Sequence, residues 1–404
     1  MMTSSHSSIK SPARPRVAVV YHFFAHYRKP IVERLARSEV ADFVFFGDDH
    51  DYESSIKAAT FSKEVKFRFC PTKKILRSVM WQFGVLRLSF SNEFDQIIFL
   101  GNPFWLATWV AAIVARLMGK RVLFWSHGFL SPPQGVKGMI RRIFFCLANT
   151  HLFYGRWAKQ HAIALGWAPQ YLHVVGNSLN LETQKTERSK VTTEKVEELR
   201  KNLFRNPLHP IAFCSCRLLP SKRLDLLISA LGLLYKDGVP VNVLIVGDGP
   251  CRSDLEKLAR DSSIDAHFTG ACYDDELLAS YITASDITVS PGFVGLTAIH
   301  SMTFGVPVIS HSTMGKQAPE AEAIIPGITG NFFTLGDVAD LARVIGLWLR
   351  RDKGKAETSA ACIAIVERFW SPTFQQEAIE RAVMGYPADD LFFLRDKSMR
   401  SLGK

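Results

Sequence analysis

Two Rossmann-like α/β domains facing each other across a cleft, with a C-terminal helix crossing the junction, are the fold predicted for this sequence. Three observations carry the prediction. The chain has 404 residues, beyond the about 250–300 that a single core usually serves. Short apolar, β-branched runs alternate with helical patterns, which is how a parallel, doubly wound sheet reads. The alternation begins twice, near Arg16 and near Ile211, on either side of a polar, helix-prone stretch. The boundaries that follow are a disordered tail at 1–15, a first domain at 16–180, a connector at 181–206, a second domain at 207–365 and a returning helical segment at 366–404.

In chain order, the first half opens with a buried strand at 16–21. Strands follow at 41–47, 65–69, 95–100, 121–125 and 152–155, and the run 172–178 closes the half. Helical patterns occupy 31–36, 105–118, 138–149 and 156–165, and 74–90 reads as a basic amphipathic helix bearing Trp81 and Phe83. In such sheets ligands sit beyond the strand C-termini, and His22, His26, Asn102 and His127 fall at those ends. The second half reads as strands at 209–215, 241–246, 266–270 and 287–290, with helices at 225–235, 253–260, 275–282 and 337–350. A last helix at 367–384 carries Phe369, Trp370 and Phe374 and is expected to pack across the domain junction.

The stretch from Ser290 to Ile309 is the most informative. Gly292 and Gly295 bracket a tight loop after a strand. A helix then starts at Leu296, with positions 296, 299 and 303 on one face, and Gly305 ends it before Pro307. A glycine loop entering a helix offers free N–H groups and a positive dipole end, which suits an anion such as a phosphate. An ordinary strand–helix crossover without ligand would look the same.

Bulk properties narrow the partners. Lys and Arg exceed Asp and Glu by 11, which favours anionic ligands or surfaces. The basic residues are spread along the chain and form no nucleic-acid-binding module. The seven cysteines lack CxxC or Cys/His zinc spacing, so a reducing, cytoplasmic setting is expected. No apolar run reaches the roughly 18 residues of a membrane span. The first 15 residues, rich in Ser and Pro, lack the apolar core of a signal peptide. The basic, aromatic segments 74–90 and 137–145 could lie peripherally on an anionic membrane.

Between residues 211 and 334 several short pieces occur in a particular order. They are Arg217-Leu218, Lys222, Val246-Gly247-Asp248-Gly249-Pro250, Phe268-Thr269-Gly270, Ala284-Ser285-Asp286, and Gly295-Leu296 through Gly305-Val306-Pro307-Val308-Ile309. This order resembles the nucleotide-binding domain of family 4 retaining glycosyltransferases, which have the two-domain GT-B fold. In the first half, His26-Tyr27-Arg28-Lys29-Pro30 and His127-Gly128 look like bacterial members acting on cell-surface glycans. The chain departs from that family at one point. The family usually carries two glutamates eight positions apart, where Gly292 and His300 stand here. The later Pro-Glu-x-Glu, with Glu320 and Glu322, looks like that of a variant subgroup.

The resemblance implies a retaining, metal-independent transfer of a sugar from a nucleotide-diphosphate sugar, UDP- or GDP-linked, to a saccharide or lipid-linked saccharide acceptor. No cofactor is implied, since the nucleotide sugar is a substrate. Departing diphosphate needs cations and N–H donors. Arg217 and Lys222 match the family's cations, and the Gly295, Leu296 and Thr297 amides with the Thr297 hydroxyl would add donors. Gly247 and Gly249 would shape a turn near the base or ribose. His127 matches a histidine reaching the donor sugar. His300 would bond the ribose or simply pack, and Glu320 or Glu322 would hold sugar hydroxyls in place of the missing glutamate or lie on a solvated loop. His22 and His26 would border the acceptor. Two other readings compete: a nucleotide-sugar epimerase of the same fold, which needs proton-abstracting carboxylates, and a catalytically inactive GT-B binding protein.

Overall fold

The structure, a computed structural model, describes residues 14–51, 56–76, 78–351 and 354–388. Most of the expected tail, the end of the returning segment, and Arg77 within 74–90 therefore lie outside the described residues.

The first half contains β1 (Arg16–Phe23), β2 (Asp42–Asp48), β3 (Phe67–Phe69), β4 (Thr72–Leu76), β5 (Val79–Gln82), β6 (Gln96–Leu100), β7 (Arg121–Ser126), β8 (Thr150–Phe153) and β9 (Leu172–Val174). All but β4 and β5 form one parallel sheet ordered β3-β2-β1-β6-β7-β8-β9. The second half contains β10 (Ile211–Ser215), β11 (Asn242–Val246), β12 (Ala266–Gly270), β13 (Ile287–Ser290), β14 (Val308–His311) and β15 (Gly330–Phe333). They form a second parallel sheet ordered β12-β11-β10-β13-β14-β15. These are two Rossmann-like domains. Each sheet reverses its order once, between β1 and β6 and between β10 and β13, and crevices open beyond the strand ends at such reversals.

The strands are apolar on both faces because helices cover both. Val17, Val19 and Tyr21 of β1 enter one core, and Ala18 and Val20 enter the other. In the second domain the helix Leu296–Thr303 buries Ala298, Ile299, Ser301, Met302 and Thr303, while Leu296 stands at the rim.

Two expected elements are different. Residues 74–90 do not form one helix: β4 and β5 are an antiparallel hairpin, with Lys73 opposite Trp81 and Lys74 opposite Met80, followed by a short helix, Val85–Phe90. Gly84 sits at φ 83°, a left-handed conformation that a continuous helix excludes. Thr72, Met80 and Gln82 turn inward while Lys73, Lys74, Ile75 and Leu76 face solvent. The segment 367–384 is likewise two helices, Lys355–Phe369 and Pro372–Val383. Pro372 has no N–H to continue the first, and Ser371 caps the second by accepting from Phe374 N at 3.2 Å. The break lets the chain cross. Phe369, Trp370 and Phe374 stay in a core shared with the second domain, while Ala378, Ile379, Ala382 and Val383 join the first domain's core. Gln96 and Arg121 donate to the Val383 carbonyl at 2.9 and 2.8 Å.

Burial also makes the fold acid-sensitive. His151 lies among Phe124, Phe145 and Phe153, and burial holds its pKa down at about 3. His300 is held at about 4 by the same cause. Unfolded, both titrate near ~6.5. Between these values the unfolded chain binds more protons, so stability is full above the unfolded pKa and falls as pH drops toward the folded one. Differential scanning fluorimetry is expected to show Tm falling steadily from about pH 6.5 to about pH 4, with His151→Phe flattening part of the slope. A Tm indifferent to pH over that window would contradict the assignment.

Candidate active site

At the reversal between β10 and β13, Cys214, Cys216, Lys222, Ser290, Phe293, Gly295 and Thr297 line one crevice. Lys222 reaches it from a one-turn 3-10 helix, Pro220–Lys222. Its ammonium lies 3.3 Å from the centroid of the Phe293 ring and 3.4 Å from the Phe293 carbonyl. Burial lowers its pKa, and nearby Cys216, Cys214 and Glu320 pull the other way. The sulfurs of Cys214 and Cys216 are 3.7 Å apart.

The helix Leu296–Thr303 begins at this crevice without a side-chain cap, so its N-terminal dipole faces the same space as Lys222. Thr297 supplies its backbone there, while its hydroxyl donates to the Ser215 carbonyl at 2.8 Å. Gly292 explains why no glutamate occupies that position. A Cβ there would lie 2.3 Å from the Ser221 carbonyl oxygen, because Gly292 N donates to Lys222 O at 3.0 Å and holds the two loops together. Gly247 and Gly249 serve backbone approach in the same way: a Cβ would meet the Cys216 carbonyl oxygen at 1.9 Å and the Leu218 carbonyl oxygen at 2.5 Å. Arg217 stands exposed on the loop between them, outside the crevice lining. His300 packs its ring against Phe304 at 5.5 Å, one turn further along.

His127 of the first domain directly follows β7 and lines a second crevice. The ring rests against Tyr154 at 4.7 Å. It retains an open side and shares a crevice with Met314, Gln317 and Pro319 of the second domain. Desolvation, then the charges of Arg28 and Arg141, push its pKa down to about 4. His127 is therefore a neutral imidazole at physiological pH. Sequence reasoning did not single out Arg28, although the quoted run His26-Tyr27-Arg28 contains it. Its guanidinium lies among Tyr21, Trp125 and Tyr154, at 4.9, 5.4 and 5.3 Å from the ring centroids. It donates to the Tyr154 hydroxyl, while its buried Nη1 has no protein partner.

The two glutamates of the 3-10 helix Pro319–Ala323 part company. Glu320 is buried at 3% exposure. Its Oε1 accepts from Asn177 Nδ2 at 2.8 Å, and its Oε2 has no protein partner. Burial raises its pKa, while the Asn177 hydrogen bond and the charge of Arg28 hold it down. Glu322 instead spans the domains: it accepts from Arg156 N at 2.7 Å and Trp157 N at 2.8 Å, capping the first-domain helix Arg156–Ala164. Gly155 permits this, since a Cβ there would lie 2.4 Å from Glu322 Oε1. Neither lies on a solvated loop.

The other reversal, between β1 and β6, opens a cleft of about 350 Å³ lined by His22, Asp51, Thr72, Ser78, Asn102 and Trp105, among others. The His22 ring lies 5.3 Å from Trp105. Its buried Nδ1 is unpartnered, and its pKa is about 4, chiefly through burial. His26 is exposed outside this lining. Among the described residues, Asp48, Asp49 and His50 bring possible metal-ligating atoms within 4.8 Å of one another. They are already engaged locally, with Asp48 accepting from Thr72 N at 2.6 Å and His50 Nδ1 at 2.6 Å from Asp49.

Residues 195–364 match the family described as glycosyl transferases group 1. A GDP-mannose-dependent monoacylated α-(1-6)-phosphatidylinositol monomannoside mannosyltransferase of Corynebacterium glutamicum is 28% identical over 206 residues, or 48% of this chain and 52% of that protein. The chain thus spans about half the length of that relative. Two solved structures share the architecture. Anabaena HepE in complex with UDP superposes with TM-score 0.67 at 16% identity, covering 92% of this chain and 99% of that one. A glycosyltransferase from Rickettsia africae gives TM-score 0.68 at 14% identity, covering 92% and 99%.

Proposed function

Since residues 195–364 form a glycosyl transferases group 1 domain within a GT-B fold, we propose that this protein moves a sugar from a nucleotide-diphosphate donor to a cell-surface glycan or lipid-linked acceptor, with retention of anomeric configuration. The observation that carries the reading is the crevice at the β10/β13 reversal, where Lys222 and an uncapped helix N-terminus converge. That combination suits the diphosphate of a UDP- or GDP-sugar. GDP-mannose dependence of the Corynebacterium relative and the UDP held by Anabaena HepE support the donor class. That relative's name also specifies a lipid acceptor.

In this reading the diphosphate lies on the second domain and the sugar points toward the first. Lys222 and the Gly295–Thr297 backbone take up charge on the leaving phosphate without a metal ion, and Arg217 adds a second cation from its exposed loop. His127, being neutral, positions the sugar through a hydrogen bond and leaves the acceptor proton to the departing phosphate. Glu320, with one oxygen to spare, holds sugar hydroxyls in place of the family's usual glutamate, so the substitutions at Gly292 and His300 are a lineage variant. Glu322 closes the domains. His22 borders the acceptor in the first-domain cleft, while the expected partner His26 stands outside its lining. The protein works on the cytoplasmic side of the membrane.

A thermal-shift screen with UDP, GDP and ADP identifies the base, because a ligand of the native state raises Tm by mass action. Transfer of labelled sugar to added acceptor, with the anomeric configuration of the product read by NMR, then tests the activity. Donor interconversion without acceptor would make the protein an epimerase, and nucleotide binding with neither reaction would make it a binding protein.

His300 is taken to reach the ribose. By calorimetry His300→Ala is expected to weaken free nucleotide and nucleotide sugar alike, by about 1–2 kcal/mol for one lost hydrogen bond. Unchanged affinity with a lower Tm would leave His300 as a packing residue against Phe304.

A further inference from the structure

The first domain turns apolar side chains outward from two neighbouring helices and a hairpin. The helix Leu106–Leu117 buries Ala107, Ala111, Ala112 and Ala115. Its solvent side carries Leu106, Val110, Ile113 and Leu117, the last 81% exposed. These positions recur at helical spacing and make one stripe. The neighbouring helix Gly135–Phe145 repeats the pattern: Phe144 and Phe145 are buried, while Val136, Met139, Ile140 and Ile143 are exposed. The inward sides of both helices share one core, and Trp109 of the first meets Phe144 of the second at 4.9 Å. Their outward sides therefore look the same way. The β4–β5 hairpin extends the face, since Met80 N donates to the Phe104 carbonyl at the start of the first helix and Ile75 and Leu76 are exposed.

Charge on this face has one sign. The hairpin and the two helices carry Lys73, Lys74, Arg116, Lys137, Arg141 and Arg142 and no acid, and the whole stretch 72–147 holds two acids, Glu93 and Asp95. Both acids are paired with arginines from outside the segment, Arg68 and Arg16. Arg116 and Arg142 donate to the main-chain carbonyls of Cys146 and Leu165, which leaves their charge uncompensated. Lys73, Lys74 and Lys137 are exposed beside the apolar positions. Outward-facing Leu, Ile and Val ringed by unbalanced Lys and Arg are the composition of an interfacial membrane surface. An acidic protein partner would complement the charge but not two aliphatic stripes.

We infer that this face, formed by the two helices and the hairpin, docks on an anionic lipid bilayer. The same hairpin and helix start supply Thr72, Ser78, Met80, Phe104 and Trp105 to the first-domain cleft. Docking therefore sets the cleft mouth beside the headgroups, where the sugar of a lipid-linked acceptor lies. The inference rests on the proposed transfer to a lipid-linked acceptor and narrows its substrate class to acceptors presented at the bilayer surface.

The test is sedimentation of the full chain with phosphatidylcholine vesicles, with and without phosphatidylglycerol. Binding is expected only to the anionic vesicles and is expected to weaken at high salt. The variant Ile113→Glu with Ile140→Glu changes two exposed side chains. It is expected to lose vesicle binding by about tenfold or more while keeping the wild-type Tm, nucleotide-induced thermal shift and transfer to a detergent-solubilised acceptor. Failure of the wild type to bind anionic vesicles would overturn the inference. So would a vesicle-free dimer, seen by analytical ultracentrifugation, that the double variant makes monomeric, because the face would then belong to a second copy. Vesicle binding without transfer to any acceptor would defeat the proposed activity and leave the membrane surface standing. Transfer to a water-soluble acceptor without vesicle binding would do the reverse.

Discussion

Lys222→Ala is expected to lower the turnover of sugar transfer by about 10²-fold or more, the scale for removing one charge-assisted contact to a transition state. The reason lies in where the ammonium is held. It is partly desolvated over the Phe293 ring and beside an uncapped helix N-terminus, so charge developing on a phosphate oxygen meets a donor that needs little reorganisation. Folding should survive, because the residue lies on a cleft loop and its backbone contacts to Gly292 do not involve the side chain. Lys222→Arg should restore only part of the rate, since a guanidinium is bulkier and planar. Arg217→Ala is expected to act in the same direction but less, because Arg217 stands outside the crevice lining. Steady-state kinetics with saturating donor reads both. Near-normal turnover by Lys222→Ala, with an unchanged Tm, would remove it from the reaction.

His127→Ala is expected to cut transfer by about 10²-fold or more while free-nucleotide affinity stays within about twofold, because in the proposed arrangement the ring meets only the sugar side. The two domains make this separation measurable. His127 directly follows β7 of the first sheet, whereas the crevice proposed to take the phosphates is lined wholly by residues of the second domain. A pKa of about 4 adds a second readout: titration of His127 should not shape the rate between about pH 6 and 8. His127→Asn keeps a donor and should recover part of the loss. Calorimetry with UDP or GDP beside the transfer assay decides. A parallel loss of nucleotide binding would put His127 at the nucleotide and redraw the orientation of the donor.

The sequence alone determined the two-domain α/β architecture, because each parallel strand is apolar on both faces and stands out locally from the helices around it. It also singled out the loop from Ser290 to Leu296 and Lys222, since glycines and a cation between strand and helix leave a local signature. Local pattern misled where one residue governs a turn. Gly84 and Pro372 each divided what periodicity joined, through a left-handed φ in one case and a missing N–H in the other. Tertiary structure alone decided which polar groups face one another across the cleft. Glu320 and Glu322 are two residues apart, yet one carboxylate keeps a free oxygen in a buried site and the other caps a helix of the opposite domain. Arg28 is one of many arginines in the chain until folding surrounds it with Tyr21, Trp125 and Tyr154. The outward apolar stripes gained meaning the same way: periodicity states that a helix has an apolar face, and only packing states that the small alanines go inward and the larger aliphatic side chains are left outside. Contacts between residues distant in sequence depend on the assembled packing of both domains, which no local window of residues encodes.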